Sequence, residues 1–339
     1  MRTQKENHTP TLHPLTLDLL RKGKNLLAFS AGVDSCALFF LLIENKIPFD
    51  IALVNYGIRQ QAQEEEAYAL ALAKRYHLQI HLAQAPRFEG NFEKSARDFR
   101  YHFFEQIIQE HYYENLLTAH QLNDQLEWLL MRLSKGAGAV ELIGLEPIAQ
   151  RQGYHLLRPL LHHSKEELQN YLNKRGNRYF LDASNQDEKH ERNWFRKHLA
   201  NKLIQRYSKG IARSFEYLLE DKKALQGDHK ECYQHQAFYI LKPHASSFRV
   251  RVIDRYLKRL GYLLSAGQRQ EIEENNSIVL GGIWAVEVVK ERIFIAPYRP
   301  IPMPKKFKEA CRVAKIPPKV RGYLYDIGLD PNLVVLQSS

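Results

Sequence analysis

The sequence predicts an α/β fold: a doubly wound parallel sheet, followed by a basic, mostly helical C-terminal region with a small β element. Three observations carry this expectation. From Asn25 to Ser134 short apolar runs alternate with longer stretches of helical periodicity, the pattern of parallel strands joined by crossover helices. The first of those runs ends in a Ser/Gly/Asp turn that opens a helix. Charge is also divided, since residues 1–150 carry 15 Lys+Arg against 18 Asp+Glu and the remaining 189 carry 34 against 20. With 339 residues and 44% hydrophobic content the chain can bury two or three cores.

Residues 1–20 read as a polar, Pro-interrupted tail. Asn25–Phe29 (NLLAF) is a strand, Ser30–Asp34 a turn, and the run through Ile43 a helix; Asp50–Asn55 (DIALVN) closes a βαβ unit. Helical periodicity with an acidic start covers Gln61–His77, and Leu78–Ala83 can be a strand. Phe92–His111 is a long helix, Asn115–Ala119 a strand, and Gln121–Ser134 a helix. After Gly136-Ala-Gly138 the pattern turns irregular, with a polar stretch at Asp182–Arg196. Basic helical segments follow at Trp194–Leu219 and Ser247–Leu260, then a β-hairpin over Ile278–Pro297 and a basic helix-turn element over Lys305–Gly328. These place an α/β domain at 21–215, a basic helical/β domain at 216–300 and a short C-terminal element at 301–339.

Cys36, Cys232 and Cys311 are too scattered for a CxxC zinc site or a disulfide framework, which fits a reducing cytoplasm. No signal-like h-region opens the chain, and the longest strongly apolar run, Ala37–Ile43, is too short for a bilayer. An acidic half joined to a basic half points to a small-molecule site coupled to a polyanion, most naturally nucleic acid.

Ser30-Ala31-Gly32-Val33-Asp34-Ser35 joins a strand to a helix, so backbone N–H groups and the helix N-terminus would converge on one anion. It lacks the Gly-Lys-Ser/Thr of a Walker A loop. The plainer reading is a turn with Asp34 or Ser35 as helix cap. The loop resembles the SGGxDS pyrophosphate loop of the N-type ATP pyrophosphatases, which cleave ATP to AMP and pyrophosphate while adenylating a substrate. Ala31 stands where glycine is usual, a strain if that position needs positive φ. The resemblance implies ATP and Mg²⁺ as cofactors, with Asp34 on the metal or pyrophosphate. Cys36 reads as a small buried hydrophobe.

Further segments resemble, in order and approximate spacing over about residues 24–200, the tRNA(Ile)-lysidine synthetase family. Val54-Asn55-Tyr56-Gly57-Ile58-Arg59 is similar to VNHGLR, with Tyr56 replacing histidine. Glu93 to Tyr101 matches ExxARxxRY, including Arg97. Ala119 to Trp128 resembles AHHxDDQxET, keeping His120, Asp124, Gln125 and Glu127 and departing at Gln121, Asn123 and Trp128. Leu157–Leu161, Asp182–Asn185 and Arg192–Arg196 match LRPLL, DxSN and RNxxR. On a helix beginning near His120, residues 120, 124, 127 and 131 share a face opposite Leu122, Leu126, Leu129 and Leu133. A solvated polar face is the ordinary explanation of such a stripe; its place after a parallel strand, at the ligand edge of the sheet, favours a site.

The resemblance implies that ATP adenylates the wobble cytidine of the isoleucine tRNA with anticodon CAU, and that L-lysine then displaces AMP to give lysidine. Ser30–Ser35, Asn55 and Arg97 would bind nucleotide. Asp34, His120, Asp124, Glu127, Arg192 and Arg196 are the catalytic candidates, with their division of roles open. The ε-amine must be neutral to attack, so an acidic or imidazole group near it would serve. Arg158, Arg192 and Arg196 could clamp phosphates. Arg249, Arg251, Arg255, Lys258 and Arg259, with Lys305–Arg321, could dock tRNA or line an ordinary helix exterior. A homodimer is left open. The alternatives are a thiolase-type member of the superfamily, disfavoured by the scattered cysteines, and a non-catalytic RNA-binding relative.

Overall fold

The computed structural model describes residues 9–57, 61–88, 90, 92–181, 191–227 and 229–337. The chain divides into two compact units, Met1–Lys222 and Lys223–Ser339.

In the first unit strands β1 (Asn25–Ala28), β2 (Asp50–Asn55), β3 (Ile80–Gln84), β4 (Asn115–Leu117), β5 (Ile148–Arg151) and β6 (Tyr154–Leu157) form one sheet, ordered β3-β2-β1-β4-β6-β5. All neighbours are parallel except the β5/β6 hairpin. The doubly wound sheet expected from the alternation is present. Chain order runs outward from β1 to β3 and resumes on the other side at β4, so a topological switch point lies between β1 and β4. The helix Val33–Glu44 is apolar nearly all round and buried, as a helix packed into the middle of a unit must be. Its Phe39 sits edge-to-face with Phe40, Phe49 and Tyr76.

The irregular stretch after Gly138 hides the short helix Ala139–Leu142, β5, β6 and the helix Lys165–Lys174. The strands are four residues each, too short for a visible period. The helix is capped by Ser164 and Glu167, which bond reciprocally to each other's backbone.

The second unit is more β-rich than expected. Strands β7 (His229–His235), β8 (Phe238–Pro243), β9 (Ser277–Leu280), β10 (Trp284–Val289) and β11 (Arg292–Pro297) form an antiparallel sheet ordered β7-β8-β11-β10-β9. The hairpin expected over Ile278–Pro297 is three strands, and β7 and β8 add two more. β7 (HKECYQH) carries little apolar signal because it is an edge strand whose buried side chain is Tyr233.

Both faces of this sheet are covered. Tyr239, Leu241, Ile293 and Ile295 pack with Val252, Ile253, Leu257 and Ile272 of the helices Arg249–Arg259 and Ala266–Glu274. Phe238, Ile240, Phe294 and Ala296 pack with Cys311, Val320 and Leu324 on the other side. Alternate residues of one strand thus enter separate cores, which is why these strands read as unbroken apolar runs. On the helix Arg249–Arg259 the side chains of Arg249, Arg251, Arg255 and Lys258 are half-buried and Arg259 is exposed.

Candidate active site

The two loops at the switch point carry the motifs. After β1, Ser30–Gly32 leads into the helix Val33–Glu44; after β4, Thr118–Gln121 leads into the helix Leu122–Leu133. Each loop is pinned from behind. Gly32 bridges Phe180 and Gln121 bridges Leu160, both in parallel sense, and the Phe180 N–H donates to the Ala31 carbonyl at 2.9 Å.

Ala31 does adopt positive φ, 57°, the conformation its usual glycine would favour, and its methyl is buried. Gly32 is the extended N-cap of the helix and receives no side-chain cap. The Ser35 hydroxyl lies 3.1 Å from both the Gly32 carbonyl and the Ser30 hydroxyl, so Ser35 braces the loop rather than capping the helix. Val33 and Cys36 are buried behind it. Burial pushes the Cys36 thiol far up, with the Asp34 charge adding to the effect, which fits an inert packing group.

Asp34 stands apart. Its Oδ1 is buried without a hydrogen-bond partner. Burial, reinforced by Asp124 and Glu127, pushes its carboxyl up to about 7 against the pull of Lys165 and Arg196. A carboxylate with one buried, unpartnered oxygen suits a hard cation, and Mg²⁺ commonly takes one or two protein carboxylates plus substrate phosphates. Among the described residues no group of three or more His, Cys, Asp or Glu converges as a metal cage. Asp34 fits a metal shared with phosphates.

His120 lies just ahead of the helix expected over Gln121–Ser134, which runs Leu122–Leu133. Gln121 is the N-cap, its side-chain oxygen accepting from the Asn123 N–H at 2.6 Å, while Asp124 Oδ2 accepts from the Gln121 N–H at 3.0 Å. His120 Nδ1 is 3.0 Å from Thr118 Oγ1. Burial, with Arg158, Arg192 and Arg97 nearby, lowers His120 to about 4 although Asp124 opposes the shift, so the ring is neutral at pH 7.

Glu127 is not on a solvated face: it is 1% exposed. Its Oε1 accepts from Arg196 Nε at 2.7 Å, and its Oε2 from Arg192 Nε at 2.8 Å and Arg196 Nη2 at 3.1 Å. Arg192 Nη2 also bonds Asp124 Oδ1. Glu127 therefore holds both arginines and Asp124 adds a second hold on Arg192, and a buried carboxylate engaged by two guanidinium groups is a fixed counter-charge. Arg192 and Arg196, four apart at the start of a long helical segment, face the helix Leu122–Leu133 together.

The departures from the motifs have structural counterparts. Asn123 donates to Asn201 Oδ1 at 2.9 Å and accepts from the Lys165 N–H at 3.2 Å, which needs an amide. Tyr56 donates to the Ala96 carbonyl at 3.2 Å and meets Phe92 edge-on, anchoring the helix that bears Arg97. The Trp128 ring covers Gly144, where an added Cβ would lie 2.0 Å from the indole.

Asp34, His120, Asp124, Glu127, Arg192 and Arg196 are therefore brought into one electrostatic neighbourhood. Arg97 belongs to its rim, its guanidinium 5.1 Å over the Tyr101 ring. Asn55 instead shapes its own turn, bonding Glu66 at 2.6 Å and the Gly57 N–H at 2.8 Å. Arg158 is buried, donating to the Glu146 carbonyl at 2.7 Å. Lys165, next to Asp34 in charge, was not singled out from sequence; a lone lysine after a histidine pair gives no signal. Ile58, Arg59 and the DxSN segment Asp182–Asn185 lie outside the described residues.

The PP-loop domain family matches residues 4–203. A tRNA(Ile)-lysidine synthase of Campylobacter jejuni is 45% identical over 93% of this chain and 96% of its own length. One of Wolinella succinogenes is 46% identical over 92% and 95%, and one of Helicobacter pylori 42% identical over 91% of each. With its phosphate loop and its arginine-bound carboxylates meeting at a parallel-sheet switch point, the chain belongs to the PP-loop superfamily and, within it, to the tRNA(Ile)-lysidine synthase family.

Proposed function

We propose that the chain ligates L-lysine to the wobble cytidine of the CAU-anticodon isoleucine tRNA, using ATP and releasing AMP and pyrophosphate. The observation that carries this reading is the convergence of the Ser30–Asp34 loop with Arg192 and Arg196, held by Glu127, at the β1/β4 switch point. In the first half-reaction cytosine O2 attacks the α-phosphorus and pyrophosphate leaves; in the second the lysine ε-amine attacks C2, AMP leaves, and one amine proton is lost.

Phosphoryl transfer asks a protein for positioning and charge more than for covalent chemistry. The loop after β1 offers backbone N–H groups and a helix N-terminus to the phosphates. Asp34 would hold Mg²⁺, which when bound supplies neutralisation of phosphate charge. Arg192 and Arg196, immobilised by Asp124 and Glu127, are positioned for the anionic groups, and the two carboxylates act through them. His120, neutral at pH 7, can accept a hydrogen bond from the amine, although a ring pushed down to about 4 is too weak a base to draw a proton from a lysine ammonium. The substrate base must be unstacked to reach this cleft, and the excess basic charge of the C-terminal half suits RNA phosphates. A cytoplasmic location fits such a substrate.

The deciding experiment incubates the protein with ATP, Mg²⁺, labelled lysine and the CAU isoleucine transcript, beside a transcript with uridine at the wobble position. Label in the cytidine transcript alone supports the reading; label in neither, with tRNA still bound, overturns it.

A further inference from the structure

The helical segment that presents the site arginines has a second face. Arg192 and Arg196 share the side that meets Glu127, whereas Trp194 and His198, also four apart, lie roughly opposite. Trp194 is 44% exposed. Its indole stacks on the His198 imidazole with centroids 5.1 Å apart and 29° between planes, and Phe195 meets it edge-on at 5.3 Å. Exposed Lys197 lies three residues on from the indole, and Lys202 and Arg206 follow as exposed cations on the same helical segment. A broad aromatic plane held in one orientation and surrounded by cations is the composition of a platform for unpaired RNA bases.

We propose that Trp194, braced by His198, stacks a nucleobase of the anticodon loop flanking the cytidine under modification. The inference rests on the proposed reaction and adds a positioning contact to it. Drawing the target base out of the loop deprives its neighbours of a stacking partner. An indole on the outer face of the arginine-bearing helix, about one helix diameter or 10 Å from the inner face, replaces that partner and holds the loop while the extruded base reacts. Charge complementarity selects RNA as occupant: Lys197 and Lys202 are exposed on this segment, and the exposed Glu191 one turn before the indole is already paired with Lys135.

The test uses the full-length enzyme and an anticodon stem-loop. The chain has three tryptophans, of which Trp284 is buried and Trp128 half-buried, so stacking on Trp194 dominates fluorescence quenching. Stem-loop binding should quench the wild type and leave Trp194→Phe unquenched. An abasic nucleotide beside the target cytidine should remove the effect. In steady-state lysidine formation Trp194→Ala should raise the KM for tRNA about tenfold, with kcat and the KM values for ATP and lysine within about twofold. Trp194→Phe, which keeps a π-face, should recover most of the loss. Equal quenching in wild type and Trp194→Phe, or an unchanged KM for tRNA in Trp194→Ala, overturns the platform. Should the wild type form no lysidine, the reaction assignment fails separately, and the quenching contrast still decides the stacking contact.

Discussion

At position 31 a methyl group occupies a backbone conformation that glycine adopts without cost. The left-handed region costs an L-residue roughly 1–2 kcal/mol. A buried methyl returns about 0.8 kcal/mol, and alanine's lower unfolded-state entropy another ~0.4–1 kcal/mol. These nearly cancel, which accounts for alanine where the family motif has glycine. Ala31→Gly should therefore move the denaturant-measured stability by less than about 1 kcal/mol. Ala31→Val, β-branched and overpacked at the same φ, should cost about 2 kcal/mol or more; a large gain for glycine would contradict this account. Glu127 is the opposite case, a residue with no slack. Glu127→Gln leaves two guanidinium groups short of a buried counter-charge and should destabilise the fold by about 3 kcal/mol. Lysine transfer should fall at least about a hundredfold. Retained transfer with unchanged stability would show that the arginines are held some other way.

The elements around the site are joined by polar contacts that no periodicity reveals. Near the N-terminus the segment Thr11–Thr16 is fastened to the turn before the helix Lys165–Lys174: the His13 N–H donates to the Pro159 carbonyl at 2.8 Å and the Thr11 N–H to His163 Nε2 at 3.0 Å. His162 lies between His13 and His163, ring centroids 5.1 and 4.0 Å away, with Glu167 nearby. Burial, then the neighbouring imidazoles His163 and His13, push it down to about 3, while Glu167 opposes the shift. Unfolded, it would protonate near 6.5. The unfolded chain thus binds the extra proton first, and stability from this group, fully present above about pH 6.5, is lost as pH falls toward 3. His162→Gln should lose less in melting temperature than the wild type between pH 7 and 5; parallel curves would exclude the histidine as the cause. The strands and helices up to Ser134 were legible in sequence because apolar period and turn residues agree there. The His120 stripe was legible too, yet its surroundings were not. Only tertiary packing places Glu127 beneath two arginines more than sixty positions later in the chain, and nothing local distinguishes a buried carboxylate from a solvated one. β7 escaped notice because an edge strand buries one large side chain and exposes the rest.

For the whole molecule, a net charge of +11 makes association with a polyanion strongly salt-dependent. Raising monovalent salt from about 50 to 200 mM should weaken tRNA binding at least about tenfold, with a linear log–log plot; insensitivity to salt would dissociate the basic composition from RNA recognition. The sequence placed that excess in the C-terminal half, but on the helix Arg249–Arg259 most of the cations lie half-buried against their own unit, because an amphipathic helix drapes long basic stems over apolar surface. The Phe180 N–H that bonds the Ala31 carbonyl also sets an order of assembly. During synthesis at about 5–20 residues per second, the strand and turn of the phosphate loop leave the ribosome well before the segment that locks them. Arg192 and Arg196 emerge later still. A nascent chain halted ahead of Phe180 owns every residue of the loop but lacks both the backbone bond that pins it and the two arginines held by Glu127, so the order of synthesis completes this site last.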